Sequence, residues 1–354
     1  MNEKILMKGN EAIGEAAVLA GCHYYFGYPI TPQSELPEYM AKKLPAVGGV
    51  FVQAESEIAA INMLYGAAAA GVRAMTSSSS PGFSLKQEGI SYIAAAELPC
   101  LLVNVQRGGP GLGTIQPGQA DYFQATKGGG HGDYRLLVLA PNSVQEIFDL
   151  TIEGFDLADR YRIPVLILAD GALGQMMEAV SLTVKSAVPV EKPWAITGRR
   201  GRVQANVVNT LSFDKDTAEQ TNRDLQKKYA EISQNEARSE ALLTDDAELV
   251  LVAYGITARI AKSAMERARE SGYKVGLLRP VTLWPFPSAE LLRVARTANA
   301  FLVCELSAGQ MVEDVELAIR CQKPVHFYGR TGGNIPSTEE LYQQIVKVLN
   351  KEGK

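Results

Sequence analysis

The feature that most constrains the fold of this sequence is a rhythm. Short apolar runs ending at glycine, proline or hydroxyl residues alternate with segments of helical periodicity. VFVQA, VRAMTSSSS, CLLVNVQ and VLILAD read as strands, and CLLVNVQ and VLILAD are apolar enough to be buried on both faces. EAIGEAAVLA, with Asn10 as its cap and Gly21 as its stop, reads as a helix, as do SEIAAINMLYGAAAA, FSLKQEGISYIAAAE and QEIFDLTIEGFDLADRY. Ser143 and Glu146 form a capping-box pattern at the start of the last of these. Such a βαβα order predicts a doubly wound parallel sheet with helices on both faces. The rhythm stops near Ala187 and resumes after Thr244 with ELVLVAYG, KVGLLRP, AFLVCEL and PVHFYG, ending in a helix capped by Ser337 and Glu340. The chain has 354 residues, too many for one ordinary domain. We divide it into a first α/β domain over 1–186, a polar linker or interface arm over 187–244, and a smaller α/β domain over 245–354.

Composition removes several function classes. The apolar fraction of 46% and charged fraction of 21% are those of a globular protein. The net charge is -4 and no basic face is visible, which argues against a nucleic-acid partner; the Arg199-Arg200-Gly201-Arg202 cluster is too short to change this. No apolar run approaches the ~20 residues needed to cross a bilayer. MNEKILMKGN turns polar too soon for a signal peptide, so a cytoplasmic location is expected. Cys22, Cys100, Cys304 and Cys321 show no metal-ligand spacing and read as reduced, mostly core residues. By itself, the chain is not expected to hold a conventional four-cysteine iron–sulfur cluster.

In open parallel sheets ligands bind beyond the carboxyl ends of strands, and four segments fall there. Tyr28-Pro29-Ile30-Thr31-Pro32 is either a rigid turn or a stiffened loop presenting Thr31. Glu55-Ser56-Glu57 opens a helix. Either glutamate suits the helix dipole there, but Glu57 precedes Ile-Ala-Ala-Ile and is drawn toward the interior. Burial and the dipole act on such a carboxyl in opposite directions. Thr76 to Gly82, TSSSSPG, is an ordinary strand-to-helix turn or a place where a ligand approaches small hydroxyls. Arg107 follows a buried strand and leads into Gly108-Gly109-Pro110-Gly111-Leu112-Gly113. Its fork suits a carboxylate, while the glycine spacing is wrong for a dinucleotide fingerprint. His23, His131 and His326 are scattered, and no metal site is assigned.

Taken in this order, these segments resemble the α-type subunit of 2-oxoacid:ferredoxin oxidoreductases, which depend on thiamine diphosphate. The stretches that carry the resemblance are GNEAIGEAAVLAG, YFGYPITPQSE, QAESEIAAINMLYGAAAAGVRAMTSSSSPGFSLKQEGI, RGGPGLG and VGLLRPVTLWPFP. RGGPGLG is most similar to the branched-chain, 2-oxoisovalerate group; the 2-oxoglutarate and pyruvate groups stand close by. The resemblance implies a pyrimidine-binding domain followed by a transketolase C-terminal-like domain. It further implies that Glu57, Thr31, Pro29 and Ser80 meet the cofactor, and that Arg107, Thr31 and Ser79 meet the substrate. In such proteins the glutamate hydrogen-bonds a ring nitrogen of the aminopyrimidine, and the arginine holds the carboxylate of the 2-oxoacid.

The resemblance also implies chemistry on other chains. A β-type subunit holds the diphosphate and magnesium through a GDG-type motif that is missing from this sequence. A ferredoxin-like subunit carries [4Fe-4S] clusters, electrons pass to ferredoxin, and coenzyme A takes the acyl group. This chain alone is therefore expected to be inactive. Two other readings compete. A non-catalytic scaffold subunit of such a complex is disfavoured by the joint presence of Glu57, Thr31 and Arg107. A nicotinamide-dependent dehydrogenase rests on sheet architecture only.

Overall fold

A computed structural model describes residues 4–184 and 190–352. Twelve of the strands form two sheets. The first sheet takes β2 (Tyr24–Gly27), β3 (Val50–Gln53), β4 (Ala74–Ser78), β5 (Cys100–Gln106), β6 (Leu137–Leu139), β7 (Pro164–Asp170) and β12 (Thr282–Trp284) in the order β12-β6-β7-β5-β4-β2-β3. The second takes β9 (Ser239–Leu242), β10 (Leu249–Val252), β11 (Val275–Pro280), β13 (Ala300–Glu305) and β14 (Val325–Gly329) in the order β14-β13-β10-β11-β9. Each sheet is parallel except for one antiparallel edge strand, β12 in the first and β9 in the second. The remaining strands, β1 (Lys4–Lys8) and β8 (Met177–Ser181), pair antiparallel as a separate ribbon. β5 and β7 are buried along their whole length, as their unbroken apolar runs require. There are two α/β units, as the fold class expects; the second sheet begins with β9, inside the stretch assigned to the linker, and β12 leaves the second unit's stretch of chain to extend the first sheet.

Local sequence explains several helix boundaries. Ser143 accepts from the Glu146 N–H at 3.1 Å, and Ser337 and Glu340 exchange reciprocal hydrogen bonds. Two expectations need correction. Asn10 lies inside helix Gly9–Leu19 rather than capping it. Its amide donates to Pro32 O and Glu35 Oε2, both at 2.8 Å, so it ties the helix to the loop after β2. FSLKQEGISYIAAAE is two helices, Ser80–Leu85 and Gln87–Ala95, that meet at a buried Lys86. Within 187–244, helix Lys215–Asn235 lays Leu225, Tyr229 and Ile232 on the first core; residues 187–189 lie outside the described residues.

In the first sheet the chain moves outward from β2 to β3 and then returns to the other side of β2 as β4. The crevice at that reversal is where open α/β sheets take ligands. In the second sheet the reversal falls between β10 and β13. A buried Gln119 joins that point to the first unit. Its backbone N–H donates to Leu306 O, and its amide donates to Tyr254 O at 2.9 Å and to Asp170 Oδ2. Its amide oxygen accepts from Leu306 N–H and from the Thr257 hydroxyl. The Asp170 carboxylate also accepts from Ile256 N–H at 2.8 Å. Gln119→Leu strands several of these buried groups. A loss of ~3 kcal/mol in urea denaturation of the full chain is expected; a change below ~0.5 kcal/mol would show the seam to be unimportant.

Candidate functional site

Ser56 starts helix Glu57–Ala69: its hydroxyl accepts from the Ala59 N–H at 3.2 Å. This cap places Glu57 in the first helical position, buried to 6% exposure, while Glu55 is left outside and exposed. The Glu57 carboxylate has no hydrogen-bond or salt-bridge partner among the described residues. Next to it stands the turn after β4. A Cβ added to Gly82 would lie 2.4 Å from both Glu57 Oε1 and Ser78 Oγ. A side chain there would displace one or both of these groups, so glycine leaves the carboxylate and the serine hydroxyl in place on either side of it.

The serines divide into two kinds. Ser80 donates to Asp121 Oδ2 at 2.6 Å and accepts from the Arg107 N–H at 3.0 Å, so its hydroxyl knits the ends of β4 and β5 together. Asn104 also donates to Asp121 Oδ2, and burial pushes the Asp121 carboxyl up from its ordinary range while these two hydrogen bonds oppose that shift. Ser78 and Ser79 differ, because both hydroxyls are buried without a partner. Buried unpaired hydroxyls at a strand end are costly unless something else meets them.

Arg107 is 7% exposed. Its Nη atoms donate to Thr31 O at 2.9 Å and Leu112 O at 2.8 Å, which fastens the YPITP and RGGPGLG loops together. Its Nε is buried and unpaired, and no carboxylate forms a salt bridge with it among the described residues. A nearly buried guanidinium without a counter-anion is costly, and its fork is of the kind that suits a carboxylate. Thr31 and Pro29 are exposed on the same loop. A cleft of about 470 Å³ opens beside Ser80 and Arg107 and is closed on its far side by Leu306, Ser307 and Thr331 of the second unit. Glu57 and Thr31 are not among the residues that line it. Exposed apolar side chains occur on the same segments: Tyr28 on the loop after β2, Ile58 and Met63 on the Glu57 helix, and Leu112 and Ile115 on and just after the glycine loop.

Three participants are absent from the sequence-based list. Asp121 and Gln119 come from a stretch without a helical or strand period. Lys86 reads as a solvated helix residue in SLKQEG, yet it is fully buried. Among the described residues no group of three or more His, Cys, Asp or Glu side chains is placed to hold a metal ion.

Comparison with known proteins gives this arrangement a family. The model for the thiamine diphosphate-binding domain of pyruvate flavodoxin/ferredoxin oxidoreductases matches residues 15–242, and that for core domain II of pyruvate:ferredoxin oxidoreductase matches residues 247–341. The ketoisovalerate oxidoreductase subunit VorB of Methanothermobacter marburgensis is 52% identical over 347 residues, which are 98% of each chain. The 2-oxoglutarate synthase subunit KorA of Archaeoglobus fulgidus is 40% identical, over 92% of this chain and 95% of that one. Among solved structures, a 2-oxoglutarate:ferredoxin oxidoreductase from Magnetococcus marinus superposes with a TM-score of 0.86 at 28% identity. That match covers 98% of this chain but 65% of the other, so this chain spans less than two thirds of its length. A split-gene transketolase, at TM-score 0.57 and 13% identity over 99% of each chain, shares the fold alone.

The fold is therefore that of the thiamine diphosphate-binding α/β proteins. The chain belongs to the pyruvate flavodoxin/ferredoxin oxidoreductase family, as a subunit of a multi-subunit 2-oxoacid oxidoreductase, and the resemblance read from its loops holds at that level.

The crowding at Gly82 is directly testable. Alanine is favoured over glycine in a helix by ~1 kcal/mol, but overpacking costs ~1–3 kcal/mol. Gly82→Ala is expected to lower the melting temperature, and to lower it less in a Glu57→Ala background. Equal effects in both backgrounds would separate Gly82 from the carboxylate.

Proposed function

We propose that this chain contributes the pyrimidine half of a thiamine diphosphate site in an enzyme that converts 2-oxoisovalerate and coenzyme A to the branched acyl-CoA, carbon dioxide and two electrons for ferredoxin. The observation that carries the reading is the Glu57 carboxylate, buried and unpartnered at the reversal point of the first sheet. The residues present fit the aminopyrimidine: a free carboxylate for a ring nitrogen, a glycine that leaves room beside it, and the unpaired hydroxyls of Ser78 and Ser79. When bound, the cofactor supplies the nucleophilic carbon and the electron sink for loss of carbon dioxide.

The side chains of this subunit have distinct tasks in this reading. Glu57 hydrogen-bonds the ring nitrogen and holds a proton there. Arg107 orients the 2-oxoacid through its carboxylate, and the Thr31 and Leu112 carbonyls that now receive its N–H groups keep its fork aimed. Pro29 and Pro32 stiffen the loop that presents Thr31 to cofactor and substrate. Ser80 secures the position of Arg107 through its backbone, and Ser79 faces the substrate.

The rest of the site belongs to partners. A β-type subunit carries the diphosphate and magnesium, a ferredoxin-like subunit carries [4Fe-4S] clusters, and the exposed Tyr28, Ile58 and Met63 form the seat of the β-type subunit around Glu57. No helix among the described residues is long and apolar enough to cross a membrane. The four free cysteines fit the reducing cytoplasm, where we place the enzyme. The higher identity to the ketoisovalerate subunit than to the 2-oxoglutarate subunit, 52% against 40%, favours the branched substrate. The name of the superposed structure supports 2-oxoglutarate as the second candidate.

In the assembled complex, Glu57→Gln is expected to lower 2-oxoacid-dependent viologen reduction by ~10²-fold or more. Unchanged turnover would favour a scaffold subunit. Arg107→Met is expected to raise KM for the 2-oxoacid more than it lowers kcat, because it removes a ground-state contact to the carboxylate. A side-by-side assay of 2-oxoisovalerate, 2-oxoglutarate and pyruvate is expected to give the highest kcat/KM for the first, and a preference for either other acid would reassign the substrate.

A further inference from the structure

Lys86 is the one lysine among the largest fully buried side chains. It lies at the break between helices Ser80–Leu85 and Gln87–Ala95, and its ammonium turns inward beneath the end of β4. There it donates to Thr76 Oγ1 at 2.5 Å and to Ser77 O at 3.1 Å. It forms no salt bridge among the described residues. Neutral oxygens are poor compensation for a fully desolvated ammonium, so burial pushes the Lys86 amine down to about 7, and the charge of Glu57 pulls it upward against that.

The geometry sets this lysine near Glu57. Thr76 and Ser78 point to the same face of β4, because side chains alternate along a strand. Lys86 Nζ sits on Thr76 Oγ1. Glu57 Oε1 and Ser78 Oγ both lie 2.4 Å from the place a Gly82 Cβ would occupy. The ammonium at Thr76 and the carboxylate beside Ser78 are therefore next to hydroxyls on the same face of β4, two positions or ~7 Å apart along the strand, and Glu57 is the charge that acts on Lys86. Other ionisable groups near the lysine are further removed. Tyr25 stands behind Ser77, its phenol pushed up by burial. Asp121 stands behind Ser80. Gln87, the next residue, is neutral.

We propose that Lys86 is a positioning residue for this site: it is the internal counter-charge of Glu57, held at fixed distance through Thr76 and the end of β4. The aminopyrimidine would approach Glu57 from the outer side while Lys86 acts on the same carboxylate from the core. A cation that lies within a low-dielectric interior keeps its influence where a surface cation would be screened. This inference rests on the reading of Glu57 as the cofactor carboxyl. It adds a residue that shares no contact with the cofactor and whose charge state changes near neutral pH.

The test follows Lys86 itself. The full chain is labelled with lysine carrying ¹³C at Cε, and the resonance that disappears in Lys86→Met is assigned to Lys86. It is then titrated in the wild type and in Glu57→Gln, without cofactor. The expected result is a wild-type midpoint near 7 that falls by ~1 unit in Glu57→Gln, as loss of an opposite charge requires. An unmoved midpoint overturns the proposal, and so does a wild-type midpoint in the ordinary lysine range. If Lys86→Met does not fold, Lys86→Arg serves for the assignment, since arginine contributes no lysine resonance. The outcome is separable from the turnover of Glu57→Gln in the complex. An inactive Glu57→Gln with an unmoved Lys86 removes this inference alone. An active Glu57→Gln with a shifted Lys86 removes the cofactor role and leaves the charge pair.

Discussion

The structure depends on how polar groups are satisfied where the carboxyl ends of two parallel sheets meet. Every parallel strand ends with backbone carbonyls and turn residues that water would ordinarily serve. In this protein the loops after β5, β7, β10 and β13 close on one another, and Gln119 takes over that role for Leu306, Tyr254, Thr257 and Asp170. Asp170 is wholly buried, and its carboxyl is pushed up to about 6 by that burial, against the N–H groups of Ile256 and Leu173 that favour its charged form. Because these seam residues are buried and hydrogen-bonded to one another, they fasten the second unit to the ends of β5 and β7. Glu57 and Thr31 take no part in that seam.

This division accounts for the incomplete look of the site. Toward the second unit, Arg107 and Ser80 border a closed cleft. Glu57 is buried at its own helix start, and Ile58 and Met63 of the same helix are exposed. A nearly buried guanidinium and two buried hydroxyls lack a full set of partners, and the Glu57 carboxylate beside them, 6% exposed, forms no hydrogen bond or salt bridge among the described residues. Each deficit costs stability unless a ligand repairs it. They gather where β3, β4 and β5 end, in a family whose relatives are subunits of multi-subunit enzymes.

Much of this was legible in the sequence. CLLVNVQ and VLILAD announced buried parallel strands, and the order of YPITP, ESE, TSSSSPG and RGGPGLG located the strand-end loops correctly. Ser56 as cap separates Glu57 from Glu55, a distinction the local pattern alone left open. Other features depend on distant parts of the chain. β12 returns from the second unit to pair with β6, and nothing in VTLWP reveals its partner. Asn10 has the side chain of a cap but is drawn into the helix by hydrogen bonds to Pro32 and Glu35, twenty or more positions away. Lys86 follows the exposed Ser84 and Leu85 and precedes the exposed Glu88, so its neighbours suggest a solvated face. The kink at the junction of two helices turns it inward, and a kink is not written in residue type.

The central claim is that Glu57 and Arg107 form one half of a thiamine diphosphate and 2-oxoacid site completed by another subunit. The most direct measurement is a structure of the assembled complex with cofactor and a non-reactive 2-oxoacid analogue bound. The account predicts the aminopyrimidine ring nitrogen within hydrogen-bond distance of the Glu57 carboxyl, the analogue's carboxylate on Arg107, and the diphosphate on a partner chain. An aminopyrimidine held elsewhere, with Glu57 still unpartnered, would contradict it.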